Sequence, residues 1–254
     1  MKQIPNLFTL LNLIFGCLAI VSCMEHGLAI QYSADSSPLV ELPERITWAS
    51  VFIGLAALTD FLDGFIARLF NATSELGKQL DSLSDVVSFG VAPSMILYQF
   101  LKISFASEEN GIEINNIFLL PAFFVAAAAA YRLAKFNLIE NASSYFIGVP
   151  TPAVGLLVAS FPLIFWYSPF QFINSILTNY WILYAFILFI CWLMLSNIKF
   201  MSLKMHSLGF KENSHVFILI FLSVISFLIL HWIAVPIIFI GYIILSLIFK
   251  KRFL

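Results

Sequence analysis

Four aspartates stand close together in the stretch TDFLDGFIARLFNATSELGKQLDSLSD, which runs from Thr59 to Asp85. Asp60 and Asp63 are three residues apart, and Asp81 and Asp85 are four apart. On helices each pair shares one face, roughly one turn apart. The flanking runs are strongly apolar, so both pairs fall near the ends of segments that read as membrane helices. An aspartate at the centre of a bilayer helix costs about 2.5–3.5 kcal/mol, and four of them facing one another add repulsion. Divalent cations are the simplest compensation: hard carboxylate oxygens suit Mg²⁺, Mn²⁺ or Ca²⁺, and the stretch contains neither His nor Cys. Four carboxylates on two helices could bridge two such ions roughly 3.5–4 Å apart, an arrangement suited to displacement at phosphorus. Two other uses fit the same spacing. Structural ion pairs could draw on Arg68 and Lys78, and a transporter could use the acids as a proton or sodium relay.

The elements that must position these acids follow from composition. The chain has 254 residues, 61% hydrophobic and 11% charged, with 28 Phe; its mean hydropathy is +0.97. Soluble domains carry roughly a quarter charged residues, so this is the composition of an all-α polytopic membrane protein. No basic stripe points to nucleic acid. Apolar windows of about twenty residues place eight spans near 7–24, 47–68, 83–101, 115–136, 150–168, 179–198, 215–231 and 234–249. Gly77 lies near the start of the third helix, so the second and third can form a hairpin presenting all four carboxylates to one point. Pro150 and Pro152 mark the start of the fifth.

Charge sets the orientation. With both termini cytoplasmic, Lys2, Arg68, Lys78, Arg132, Lys135, Lys199, Lys204, Lys211, Lys250, Lys251 and Arg252 fall on that side, and Arg45 and Lys102 remain outside. The positive-inside rule predicts such an imbalance. It puts the aspartates at the cytoplasmic ends of the second and third helices, in a cell inner or plasma membrane. Without soluble inserts or repeats, residues 1–254 read as one domain: a core of helices 1–6 over 1–198, and a C-terminal helix pair over 199–254. Cys17, Cys23 and Cys191 lie in apolar runs and read as packing residues. Lys2 and the apolar run ending in VSC faintly suggest a lipoprotein signal, but Pro5, Asn6, Thr9 and Asn12 interrupt it, and the segment reads as the first span.

Within the charged stretch, Gly64 and Ala67 lie on the Asp63 side of their helix, where small side chains let a bulky group approach the backbone; helix packing is their other common use. Arg68, one turn beyond Gly64, could hold a phosphate.

The run Asp60-x2-Asp63-Gly64-x2-Ala67-Arg68-x8-Gly77-x3-Asp81-x3-Asp85 resembles the signature of the CDP-alcohol phosphatidyltransferases at each of its eight specified positions. IPNLFTLLNL at Ile4–Leu13, TSELGKQLDSLSDVVSFGVAP at Thr73–Pro93, and YRLAKFN with FIGVPTPA downstream are similar to the phosphatidylserine synthases of the integral-membrane type. This similarity covers about the first 160 residues. The resemblance implies transfer of a phosphatidyl group from CDP-diacylglycerol to an alcohol, here L-serine, with release of CMP. It also implies a homodimer.

Spacing and resemblance together predict that Asp60, Asp63 and Asp81 bind one Mg²⁺ or Mn²⁺, and that Asp60, Asp81 and Asp85 complete a second site, with Ca²⁺ as another occupant. Asp85 is the expected general base. Asp63, Gly64, Ala67, Arg68, Thr73 and Gly77 are expected to line the CDP-diacylglycerol side. Arg132 and Lys135 are candidates for the acceptor carboxylate or a donor phosphate; as basic residues at a helix end they could equally be topogenic. Asn6, Thr9 and Asn12 share a helical face and could contact acceptor or donor, or hydrogen-bond to another helix. Glycerol-3-phosphate or an inositol compound is the competing acceptor. A phosphorylated acceptor calls for more basic residues than this face offers beyond Arg132 and Lys135.

Overall fold

The computed structural model describes residues 4–25, 29–32, 38–70, 74–107, 115–138, 145–201 and 214–248. The first helix, α1 (Ile4–Met24), shows how the chain solves the membrane problem. Leu7, Leu10, Ile14, Leu18 and Val21 are exposed on one side, while Thr9 and Asn12 are buried on the other. Apolar side chains face lipid and the few polar ones face protein, as a bilayer solvent requires.

α1 packs along α2 (Thr47–Leu69), and α2 is followed by α3 (Glu75–Asp85). Ser74 caps α3, its hydroxyl accepting from the Gly77 amide at 3.0 Å. The helix starts eight residues before the expected boundary at 83, because its first turns are polar and invisible to an apolar window. Residues Val86–Val91 then widen into a π-helix that continues as α4 (Ala92–Ala106). The Ala92 amide bonds the Val87 carbonyl, five residues back. Pro93 accounts for the widening: in a regular α-helix its ring would press on the carbonyl four residues earlier. The wider turn relieves that clash, and π segments of this kind recur at functional sites.

The continuous span Glu75–Ala106 is the axle of the bundle. Of its most apolar stretch 67% is buried, against 39% or less for the other four long spans. Three close contacts fix the π segment. A Cβ on Gly155 would meet the Phe89 ring at 2.9 Å, one on Gly90 would meet the Ala129 Cβ at 3.0 Å, and one on Gly16 would meet the Ser88 Cα at 2.9 Å. Further along, Phe100 packs edge-on against Phe161 and Phe165.

α5 (Phe124–Asn137) follows two short 3₁₀ turns, and α6 (Thr151–Tyr167) begins at Pro150 and Pro152 as expected. α7 (Gln171–Leu177) and α8 (Tyr180–Leu195) form a pair bent by 68°. α9 (Ser214–Leu230) stops at His231, whose φ of 48° cannot propagate a right-handed helix, and α10 (Ala234–Ile248) resumes after one 3₁₀ turn.

Helices occur at all eight expected positions, but among the described residues length and apolarity qualify five as spans, or six when the bent pair is one, and Phe221–Ile248 counts as a single span where two were expected. α6, at 17 residues, is too short to qualify. Two small antiparallel ladders were also not expected. Ala29–Tyr32 (β1) pairs with Pro38–Glu41 (β2), and Tyr145–Ile147 (β3) pairs with Lys199–Met201 (β4). The second ladder ties the entry of α6 to the exit of α8. Between them Gly148 adopts φ 71° with the Met194 carbonyl so close that no side chain would fit.

Candidate active site

The helical phasing read from the sequence brings three carboxylates together. Asp60 and Asp63, from the last turns of α2, and Asp81, from α3, each offer an oxygen within 4.8 Å of the others. Asp63 is buried, and Asp60 and Asp81 are half-buried. One oxygen of Asp81 is sealed from solvent with no hydrogen-bond partner. Hard oxygen donors at this spacing, with one left unsatisfied, fit a divalent cation such as Mg²⁺ or Mn²⁺. Asp85 lies one helical turn deeper in the protein, 6% exposed and outside that trio, yet close enough to feel the charges of Asp60, Asp81 and Asp63.

α1 holds the acids from the opposite side. Thr9 Oγ1 donates to Asp63 Oδ2 at 2.8 Å, and Asn12 Nδ2 donates to Asp85 Oδ1 at 3.1 Å. The Asn12 main-chain carbonyl in turn accepts from Ser88 Oγ of the π segment at 2.9 Å. The polar face of α1 was legible from its spacing; its partners are the aspartates themselves. Asn12 therefore positions Asp85 and also leaves its own Oδ1 buried without a partner.

Beside the trio lies a cavity of about 510 Å³, lined by Pro5, Asn6, Thr9, Asp63, Gly64, Ala67, Ser74, Glu75, Gly77, Lys78 and Asp81. Asp63, Gly64, Ala67 and Gly77, expected on the donor side, all line it, as does Asn6. The two glycines differ. A Cβ on Gly64 would meet nothing within 4 Å, whereas one on Gly77 would come within 3.1 Å of both Asn6 Oδ1 and Ser74 Oγ. Gly64 thus keeps cavity space open, and Gly77 also lets α3 approach α1. Thr73 and the side chain of Arg68 lie outside the described residues.

Lys78 and Glu75 line the cavity but were not singled out as ligand contacts, although both sit inside the signature stretch. Lys78 Nζ donates to the Asn137 carbonyl at 3.3 Å, and Asn137 Nδ2 donates to Ser82 Oγ at 2.8 Å, fastening the end of α5 to α3.

Arg132 and Lys135 do not line this cavity; they line a small separate groove with Tyr131, Phe136, Ile147 and Met194. Arg132 is nevertheless buried, at 8% exposure, and interacts electrostatically with Asp85. Its Nη1 donates to Thr151 Oγ1 at 2.9 Å, while its Nε is buried with no partner. Lys135 is exposed and donates to Asn197 Oδ1 at 3.3 Å. The structure thus separates two residues that the sequence placed together: Arg132 is buried against Thr151 at the start of α6, and Lys135 belongs to the α8 exit.

The acids from α2 and α3 thus meet beside a cavity that Gly64, Ala67 and Gly77 line, held from the other side by α1. The sequence pattern of the CDP-alcohol phosphatidyltransferase family matches residues 2–192, and the chain belongs to that family. It is an integral membrane protein. The Bacillus subtilis CDP-diacylglycerol–serine O-phosphatidyltransferase is 32% identical over 214 residues, covering 82% of this chain and 94% of the relative. The Helicobacter pylori (strain 26695) protein of the same name is 31% identical over 211 residues, covering 74% and 83%. The archaetidylserine synthase of Methanothermobacter thermautotrophicus is 29% identical over 167 residues, covering 65% and 60%.

Proposed function

We propose that this protein transfers a phosphatidyl group from CDP-diacylglycerol to the hydroxyl of L-serine, forming phosphatidylserine and CMP. The observation that carries the reading is the convergence of Asp60, Asp63 and Asp81 within 4.8 Å beside the cavity that Gly64 keeps open. The names of the relatives support serine as acceptor. Asp60, Asp63 and Asp81 would hold one Mg²⁺ or Mn²⁺, and Asp60, Asp81 and Asp85 a second. Ions bound there would neutralise the donor diphosphate and stabilise the departing CMP.

The protein's own groups divide the remaining work. Gly64 and Ala67 let the nucleotide side of the donor lie against the α2 backbone. Thr9 fixes the carboxylate plane of Asp63. Asn12 occupies Oδ1 of Asp85 and leaves Oδ2 to take the proton from the serine hydroxyl. The serine oxygen then bonds to the β-phosphorus as the bond to the CMP oxygen breaks. Arg132 takes the serine carboxylate, with Thr151 holding one arm of the guanidinium; a bidentate fork suits that partner.

The positive-inside distribution supports a cytoplasmic site, where soluble serine and the cytidine head meet while the acyl chains stay in lipid. The family match, ending at residue 192, supports a catalytic core followed by a C-terminal helix pair.

The test gives purified protein CDP-diacylglycerol, Mg²⁺ or Mn²⁺, and each acceptor in turn. Serine-dependent CMP release is expected. Release only with glycerol-3-phosphate or an inositol compound would move the protein to another acceptor, and no release with any acceptor would leave ion transport.

A further inference from the structure

At the end of the bundle away from the acids lies a second cavity, of about 600 Å³, walled by three parts of the chain. Glu44 and Arg45 come from the 3₁₀ turn that leads into α2, and Trp48 from the first turn of α2 itself. Tyr167 closes α6, and Trp232 sits in the turn between α9 and α10. α2 rises about 1.5 Å per residue, so Trp48 stands about 20 Å along the helix from Asp60 and Asp63. The cavity therefore belongs to the opposite membrane boundary, where Trp and Tyr collect at the level of lipid headgroups. Its walls are held by contacts of their own. The Tyr167 hydroxyl donates to Glu44 Oε1 at 3.0 Å. The Trp232 ring packs edge-on against Phe227, with centroids 5.7 Å apart and planes at 88°, and the Trp48 ring centroid lies 6.2 Å from that of Phe52.

An acid and a guanidinium on adjacent residues, framed by three aromatic rings, present one negative and one positive group at headgroup level. A zwitterionic phospholipid carries the complementary pair. Its phosphate suits the planar fork of Arg45, and its ammonium suits the Glu44 carboxylate. Tyr167 uses Oε1, and a carboxylate accepts at both oxygens, so the ammonium can be taken as well. Val51 and Leu163 complete the lining with apolar side chains, which suit the upper part of the acyl chains. We propose that this cavity binds one zwitterionic phospholipid of the leaflet opposite the acids, with its ammonium on Glu44 and its phosphate on Arg45. Trp48 and Tyr167 belong to the part of the chain that the family pattern covers, and Trp232 lies beyond it. The lipid thus sits across the seam between the catalytic core and the C-terminal helix pair.

The test is native mass spectrometry of the full-length protein in detergent, with dioleoyl phosphatidylethanolamine and dioleoyl phosphatidylglycerol as probes matched in their acyl chains. Wild type is compared with Glu44→Gln and Arg45→Gln; both residues are exposed, so neither substitution threatens the fold. Wild type is expected to hold one ethanolamine lipid about tenfold more tightly than the glycerol lipid, the scale of one hydrogen bond to a charged group. E44Q should remove that preference, and R45Q should weaken the binding of both lipids. The ethanolamine lipid should also raise the melting temperature of wild type more than that of E44Q, since a ligand of the folded state stabilises it. Adding CDP-diacylglycerol should leave the bound lipid in place, because the donor cavity lies at the other end of α2. Equal or tighter retention of the glycerol lipid by wild type would overturn the proposal. So would an unchanged preference in E44Q, or unchanged affinities in R45Q. Displacement by CDP-diacylglycerol would put the lipid in the donor cavity and overturn it as well.

Discussion

Thr9 Oγ1 donates to Asp63 Oδ2 at 2.8 Å across 54 residues of sequence, joining the first helix to the acid cluster on the second. The same hydroxyl lies 3.2 Å from the Pro5 carbonyl within its own helix, so a serine there could make the same bonds and a valine could not. Thr9→Val should keep the fold, since its shape is nearly that of threonine. It should weaken metal-dependent CMP release by about ten- to a hundredfold, the range for a lost hydrogen bond to a charged group. Thr9→Ser should restore most of it. Titrating Mn²⁺ against CMP release for the three proteins checks this, and a valine variant with wild-type metal dependence would remove Thr9 from the site.

Gly64 offers a test in which stability and activity should move in opposite directions. A Cβ there meets nothing within 4 Å, and alanine favours a helix over glycine by about 1 kcal/mol. Gly64→Ala should therefore melt no lower than wild type while raising the KM for CDP-diacylglycerol. A variant that loses stability without losing donor affinity would mean that Gly64 serves helix packing.

Gly16 should behave in the contrary way. Its Cβ would press on the Ser88 backbone at 2.9 Å, and overpacking of this kind costs about 1–3 kcal/mol. Gly16→Ala should lower the unfolding midpoint in detergent. It should also lower activity, because Ser88 holds the Asn12 carbonyl and Asn12 holds Asp85. Unchanged stability would show that the π segment is less tightly seated than these contacts require.

Asp85→Asn should leave a folded protein that still binds CDP-diacylglycerol but no longer turns over. The amide keeps the shape of the carboxylate and loses its basicity. Binding of a radiolabelled donor, measured beside CMP release, separates the two properties. Turnover near the wild-type rate would remove Asp85 as the base.

How much of this could be read from the chain follows from the range of each interaction. The paired aspartates and the small residues beside them are local, so helical periodicity exposes them. The polar face of Asn6, Thr9 and Asn12 was equally visible, but which residues it touches depends on how α1 packs against α2 and α3. The π segment escaped because a wide turn is set by Pro93 together with contacts to Gly16, Ala129 and Gly155 from three other helices. The polar start of α3 escaped because apolar windows cannot see an amphipathic turn.

The central claim is that buried acids on α2 and α3 hold divalent cations that drive serine-dependent cleavage of a CDP-linked lipid. The most direct measurement is CMP release by purified wild-type protein and Asp81→Asn, with donor and serine present, as Mg²⁺ or Mn²⁺ is removed by a chelator and then restored. The account predicts release by wild type that stops with the chelator and returns with the metal, and none from Asp81→Asn at any metal concentration. Release that persists without metal, or that continues at the wild-type rate in Asp81→Asn, would contradict it.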